Sequence, residues 1–229
     1  MKEIPQVEAS LEVLRRNSQD KEFYKIQVDS KEFIVLPDVF SPKYFESTPI
    51  FTRGIDFYGI SSFLEIGTGT GITAVTAALH GVNRVVAVDI NPNAVENTKT
   101  NAKLHGVSHL VDARLSDIFS AVAIRESFDA IYWNMPFMYM PDDYIYCSIL
   151  ERSLFDPGYR ITNLFLRQAP AFLSSRGKLI IGFGNFGDEN KLHKLAIDYG
   201  YKVKELMREK AHEINPIQFV LYELTKENE

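Results

Sequence analysis

Cysteine is almost absent, with Cys147 alone in 229 residues. A single thiol excludes an internal disulfide framework and a cysteine metal cluster, and free cysteine usually packs as a small hydrophobe, so Cys147 is expected in or against the core. Long apolar runs are also lacking. The stretches around Ile124 to Phe137 and Leu179 to Phe183 are broken by charge, Asn, Pro or Gly, which argues against a transmembrane helix and a membrane partner. Met1-Lys2-Glu3-Ile4-Pro5 has no basic stretch followed by an apolar one, so no secretory signal is expected. With the lone cysteine, this points to a reducing, cytoplasmic compartment. There is no basic surplus, since 25 Lys and Arg stand against 30 Asp and Glu for a net charge of -5. That disfavours a broad nucleic-acid surface. The cluster Lys202, Lys204, Arg208 and Lys210 is interleaved with Glu205 and Glu209 and reads as a solvated face. The five histidines show no metal-ligand spacing, are read as surface or helix-end residues, and no metal is expected.

What is present is a strand and helix alternation. Val7, Leu11 and Leu14 fall at helical spacing, and Tyr24 to Val28 with Phe33 to Leu36 read as a hairpin. Thr48 to Tyr58 reads as a helix leading into the core. Strands are expected at Phe63 to Ile66, Arg84 to Asp89, Val111 to Arg114, Phe128 to Trp133 and Lys178 to Phe183. Helices are expected at Ile72 to His80, Pro92 to Leu104, Thr162 to Leu173 with a kink at Pro170, and Glu189 to Tyr199. Such βα units imply a mostly parallel sheet covered on both faces by helices. Tyr201 to Met207 and Gln218 to Leu224, joined by a loop alone, suit an antiparallel ending. The chain divides into residues 1–47, an N-terminal helix and hairpin with the loop after them, and residues 48–229, the α/β domain.

The most informative segment is Phe63-Leu64-Glu65-Ile66-Gly67-Thr68-Gly69-Thr70-Gly71-Ile72, an apolar strand running into three glycines and a helix. Such a loop lets main chain approach a ligand and aims helix N–H groups at it. Counted from Gly69 to Ala74, the spacing also satisfies a dinucleotide fingerprint, so a nicotinamide dehydrogenase is one reading. Glu65 argues against it. A carboxylate there repels a pyrophosphate and suits a ligand carrying an ammonium or sulfonium, as S-adenosylmethionine does; the alternative is a solvated strand-end acid. Asp89, 18 residues beyond Gly71, suits ribose hydroxyls, with a cap for the Pro92 helix as the alternative. Asp117, after the third strand, suits an adenine amino group beside an apolar wall, or is an ordinary loop acid.

In order and spacing, Glu65-Ile66-Gly67-Thr68-Gly69-Thr70-Gly71, Asp89 and Asp117 resemble the cofactor motifs of the class I S-adenosylmethionine-dependent methyltransferases. The resemblance covers roughly Phe40 to the C-terminus. It implies a Rossmann-like α/β fold of seven strands, mostly parallel with a reversed final strand. It further implies that Glu65, Gly67, Thr68, Gly69 and Gly71 surround the methionyl part, that Asp89 binds ribose and Asp117 adenine, and that Ile90 and Ile118 form apolar walls. Asn134-Met135-Pro136-Phe137, following the fourth strand, resembles the Asn-Pro-Pro-Tyr motif of amino-group methyltransferases. That implies that the Asn134 oxygen and the Met135 carbonyl accept from the target nitrogen, that Phe137 stacks on it, and that Asn134 borders the cofactor. Met135 departs from the usual proline. Val39-Phe40-Ser41-Pro42 with Thr48, and Ser153 to Arg160, resemble covering and linking segments of the protein-glutamine and ribosomal RNA branches. Tyr132, Trp133, Phe137, Tyr139, Tyr144 and Tyr146 are expected to crowd the substrate side, where rings stack on a planar group. The expected acceptor is therefore a protein glutamine or an RNA base, with a small molecule next. A non-catalytic cofactor-binding protein is the remaining rival, kept open by Met135.

Overall fold

In the computed structural model, which describes residues 4–211 and 217–226, a helix and a hairpin precede a seven-stranded sheet. Helix α1 (Ile4–Gln19) is followed by β1 (Tyr24–Val28) and β2 (Lys31–Val35), paired antiparallel through Asp29 and Ser30. Both turn residues have positive φ, 47° and 65°, the conformation a two-residue hairpin loop demands for its twist. Then come α2 (Ser47–Gly54), β3 (Ser62–Ile66), α3 (Ile72–Leu79), β4 (Arg84–Asp89), α4 (Pro92–Leu104), β5 (Val111–Leu115) and β6 (Phe128–Asn134). The chain continues through β7 (Met138–Met140), a 3₁₀ turn at Leu150–Ser153, β8 (Phe155–Pro157), α5 (Arg160–Gln168), β9 (Leu173–Gly184), α6 (Glu189–Asp198), β10 (Tyr201–Lys210) and β11 (Gln218–Lys226).

The sheet order is β10-β11-β9-β6-β3-β4-β5. Strands β9, β6, β3, β4 and β5 run parallel, and β11 is antiparallel to both of its neighbours. The reversed final strand expected from the sequence is therefore β11, inserted between β9 and β10. Central strands read as continuous apolar runs because both faces are covered. On β6 the alternation is visible in neighbouring residues: Trp133 packs against Phe165 of α5, while Tyr132 stacks on Phe63.

Strand β4 and helix α4 fall on the expected residues. Helix α2 is shorter than expected because Asp56 and Gly59 turn the chain after Gly54. Helix α5 starts earlier, since the buried Asp156 carboxylate accepts from the N–H groups of Ile161 and Thr162. It gives way at Gln168 to a 3₁₀ turn, Ala169–Phe172, that carries Pro170, whose ring cannot continue an α-helix. The parallel pair β7 and β8 had no sequence signature. Cys147 is exposed, contrary to expectation, because its loop is held by Glu151, which accepts from the Cys147 N–H and the Tyr144 hydroxyl. His193 is packed edge-on to Tyr222 rather than on the surface, and His212 lies outside the described residues.

Helix α4 ties the hairpin to the core. Asn97 and Asn101, both fully buried, accept from the main-chain N–H groups of Leu36 and Ile34 and donate to the Ile34 carbonyl. Asn101 also donates to the Thr70 carbonyl of the glycine loop, at 2.8 Å.

Candidate functional site

The glycine loop is shaped by its own acids. Gly67, Gly69 and Gly71 have φ of 65°, 54° and 76°, where side chains beyond glycine are disfavoured. Glu65 is 3% exposed, and its Oε2 accepts from the Thr68 hydroxyl at 2.9 Å and from the Ala74 N–H at 3.0 Å. Glu65 is thus no solvated strand-end acid. It occupies the N-terminal turn of α3, the place a pyrophosphate takes in a dinucleotide site, and this weighs against the dehydrogenase reading. Burial pushes its carboxyl up to about 8, against the pull of its hydrogen bonds to Thr68, Thr73 and Ala74. At the tip of β4, Asp89 accepts from the Gly69 N–H at 2.9 Å and from the Asn91 N–H at 2.8 Å. Burial raises its carboxyl above the ordinary range, opposed by these main-chain donors. The helix cap considered for Asp89 is supplied instead by Asn91, whose side chain accepts from the Asn93 N–H.

These groups line one cavity at the carboxyl ends of the parallel strands. Its wall holds Glu65, Gly67, Thr68, Gly69, Asp89, Ile90, Asp117, Ile118 and Asn134, the crevice where open α/β sheets bind ligands. Asp117 is exposed. Ile118 is buried with φ of 49°, a strained conformation for a β-branched residue, held by the Ser116 hydroxyl, which donates to the Ile118 carbonyl. Gly71 stands apart. A Cβ there would lie 2.7 Å from Cα of Thr98, so this glycine serves the contact with α4 rather than the cavity wall.

Asn134 ends β6 on the border of a second cavity of about 340 Å³, whose wall includes Ser10, Phe40, Phe45, Ser47, Asn134, Phe137, Phe186 and Phe219. Phe40, Asn134 and Ser153 line both cavities. The Asn134 side-chain N–H donates to Oγ of Ser47 at 3.1 Å, so the amide offers Oδ1 as its acceptor. Ser47, the first residue of α2, was not singled out from sequence; the only hint was its place beside Thr48. Phe137 is 4% exposed, with its ring tilted against Phe183 and its carbonyl accepting from the Tyr159 hydroxyl. The Met135 side chain is buried and its N–H donates to the Gly182 carbonyl at 3.2 Å. A proline has no N–H to give, so the departure at this position retains a strand hydrogen bond.

The expected crowd of aromatics separates. Phe137 faces the second cavity, Tyr132 and Trp133 face the first, and Tyr144 and Tyr146 lie farther out beside Arg152 and Arg160. The covering segment is fixed at both ends. Asn17 accepts from the Ser41 N–H and donates to the Val39 carbonyl, while Asn91 donates to the Asp38 carbonyl. No helix among the described residues is long and apolar enough to cross a membrane.

Residues 58–136 match the family model described as ribosomal protein L11 methyltransferase. A putative protein N5-glutamine methyltransferase of Methanocaldococcus jannaschii is 30% identical over 183 residues, which span 78% of this chain and 89% of the relative. The release factor glutamine methyltransferase of Aquifex aeolicus is 29% identical over 66% of this chain, and the match spans 52% of that protein's length. Among solved structures, the ribosomal protein L11 methylase of Lactobacillus delbrueckii subsp. bulgaricus superposes with a TM-score of 0.60 at 16% identity, over 83% of this chain and 82% of the other. With most of the archaeal relative aligned and the glycine loop seated at the sheet's carboxyl edge, the chain belongs to the class I S-adenosylmethionine-dependent methyltransferases.

Proposed function

We propose that this enzyme methylates a side-chain amide nitrogen, that of a glutamine in a protein partner. The observation that carries the reading is Asn134 on the wall common to the two cavities, with its amide N–H committed to Ser47. An amide nitrogen is a poor nucleophile because its lone pair is delocalised. An acceptor aimed at its N–H bonds orients it and favours the charge distribution of the transition state. Asn134 Oδ1 and the Met135 carbonyl take that role, and Phe137 forms the wall on which the planar amide rests. Bound S-adenosylmethionine supplies a methyl group made electrophilic by its sulfonium. The first cavity fits it chemically: Asp89 suits the ribose, Asp117 the adenine with Ile90 and Ile118 as apolar walls, and Glu65 with the loop Gly67 to Gly69 a cationic amino-acid end. Glutamine methyltransferases among the relatives favour a protein acceptor.

The aromatic wall of the second cavity favours a second reading, an exocyclic amine of an RNA base, whose ring stacks on such surfaces. The net charge of -5 weighs against it. Incubation of a cell extract with methyl-labelled cofactor, then separation of protein, RNA and small molecules, distinguishes the two. The expected result is label in protein, recovered as N5-methylglutamine on mass spectrometry. Label confined to RNA supports the second reading, and label confined to small molecules defeats both.

A further inference from the structure

The hydroxyl of Tyr132 is buried, with the Thr73 hydroxyl beside it but no hydrogen bond of good geometry to any group. The residue is 1% exposed, yet it forms part of the wall of the first cavity. Leaving a buried hydroxyl unpaired is destabilising, and a phenylalanine would fill the same space without that cost. The surroundings say what the hydroxyl suits. Tyr132 is the register partner of Glu65 across the parallel β3 and β6 pair, so the two side chains leave the sheet on the same face. Thr73 of α3 lies on that face too, hydrogen-bonded to Thr52 of α2 at 2.8 Å. A carboxyl and two hydroxyls together present acceptors, and a cation bound beside Glu65 draws its carboxyl to the ionised form. They repel an anion and fit a group with several N–H donors and a positive charge. Tyr132 stands two residues before Asn134 on β6, on the same side of the strand. Strands β3 and β4 separate β6 from β5, so this corner is the end of the cavity remote from Asp117, where a ligand running from Asp117 past Asp89 ends.

We propose that the Tyr132 hydroxyl, together with the Glu65 carboxylate, holds the α-ammonium of the cofactor's amino-acid end. The inference rests on the reading of the first cavity as the S-adenosylmethionine site. It makes Tyr132 a binding residue whose contribution depends on the amino-acid portion of the ligand and on nothing else in it.

Calorimetric titration of wild type and Tyr132→Phe with two thioethers tests this. One is S-adenosylhomocysteine; the other is 5′-methylthioadenosine, which keeps the nucleoside and sulfur and lacks the amino acid. The variant is expected to bind S-adenosylhomocysteine roughly tenfold more weakly, the scale of a lost hydrogen bond to a charged group. Its affinity for 5′-methylthioadenosine should stay within about twofold, since that ligand makes no use of the hydroxyl. Without ligand it should melt at the same or a higher temperature, because an unpaired buried hydroxyl is gone. Equal weakening of both ligands would mean that the substitution only disturbs the glycine loop, and unchanged affinity for both would mean that the hydroxyl meets no ligand. Either result overturns the proposal. Wild type that binds neither thioether defeats the cofactor reading itself and the proposal with it, a result unlike the other two.

Discussion

The two cavities that meet at Asn134 are built in different ways. The first is drawn mostly from one stretch of chain, the strand tips and turns between Glu65 and Asn134, and much of its shape is main chain held by the chain's own acids. The second is a wall of side chains gathered from Ala9 of α1, the segment around Phe40 and Phe45, the turn at Ser153, and Phe219 of β11. A cavity made of main chain near one loop tolerates few changes and recognises an invariant ligand. One made of side chains from distant segments is free to differ between relatives, which suits the acceptor side of the proposed reaction.

The sharpest way to break this comparison is at the shared wall. Asn134→Ala should lower the single-turnover rate about a hundredfold, the scale of losing one preorganised polar group. Cofactor affinity should change less than about twofold, because the role proposed for the side chain is on the acceptor. Normal turnover on the true acceptor would show that the turn only ends a strand. Next in size is Asp89→Ala, expected to weaken S-adenosylhomocysteine by about 1.5–3 kcal/mol through loss of charge-assisted hydrogen bonds. Calorimetry checks it, and the acceptor's Michaelis constant should be unmoved.

Glu65 gives a test in pH. Its folded carboxyl titrates at about 8, above the ordinary 4.5. Between those values the folded state holds a proton that the unfolded chain has released, so stability falls as pH rises through the window and levels off above 8. Glu65→Gln keeps an oxygen for Thr68 and Ala74 and removes the ionisation. The variant should match wild type near pH 5 and exceed it by about 2–4 kcal/mol near pH 9. Urea unfolding at the two pH values decides it; an equal difference at both would show that Glu65 does not titrate in this range. The smallest effect belongs to the second cavity. Phe45 stacks on Phe40 with ring centroids 4.1 Å apart, and Phe45→Ala should raise the acceptor's apparent Michaelis constant roughly three- to tenfold while leaving cofactor affinity alone.

What was legible in the sequence follows the same division. The glycine loop, β4 and α4 could be read nearly residue by residue because local rules fix them: an apolar strand, glycines at positive φ and a proline in the first helical turn; only the helix cap, considered for Asp89, fell to Asn91. Asn134 was legible as a motif at a strand end. Ser47 was not, because its meeting with Asn134 across 87 positions is made by the packing of α2 on β6. Tyr132 was read as one of several aromatics on the substrate side. Only its register with Glu65 turns it toward the cofactor cavity. The pair β7 and β8 escaped because three-residue strands carry too little pattern to read. Cys147 was misjudged because burial tendency says nothing about a loop stapled from beneath by Glu151.

The paired amides of Asn97 and Asn101 have a consequence for hydrogen exchange. The N–H groups of Ile34 and Leu36 lie on a small two-stranded hairpin, and such edges fray readily on their own. Here their acceptors are fully buried side chains of α4. Exchange at these two amides must then wait for separation of the hairpin from α4, so they should report an opening of the domain rather than of the hairpin. Because Asn101 also grips the Thr70 carbonyl, a ligand that steadies the glycine loop should slow deuterium uptake at Ile34, an amide it never touches.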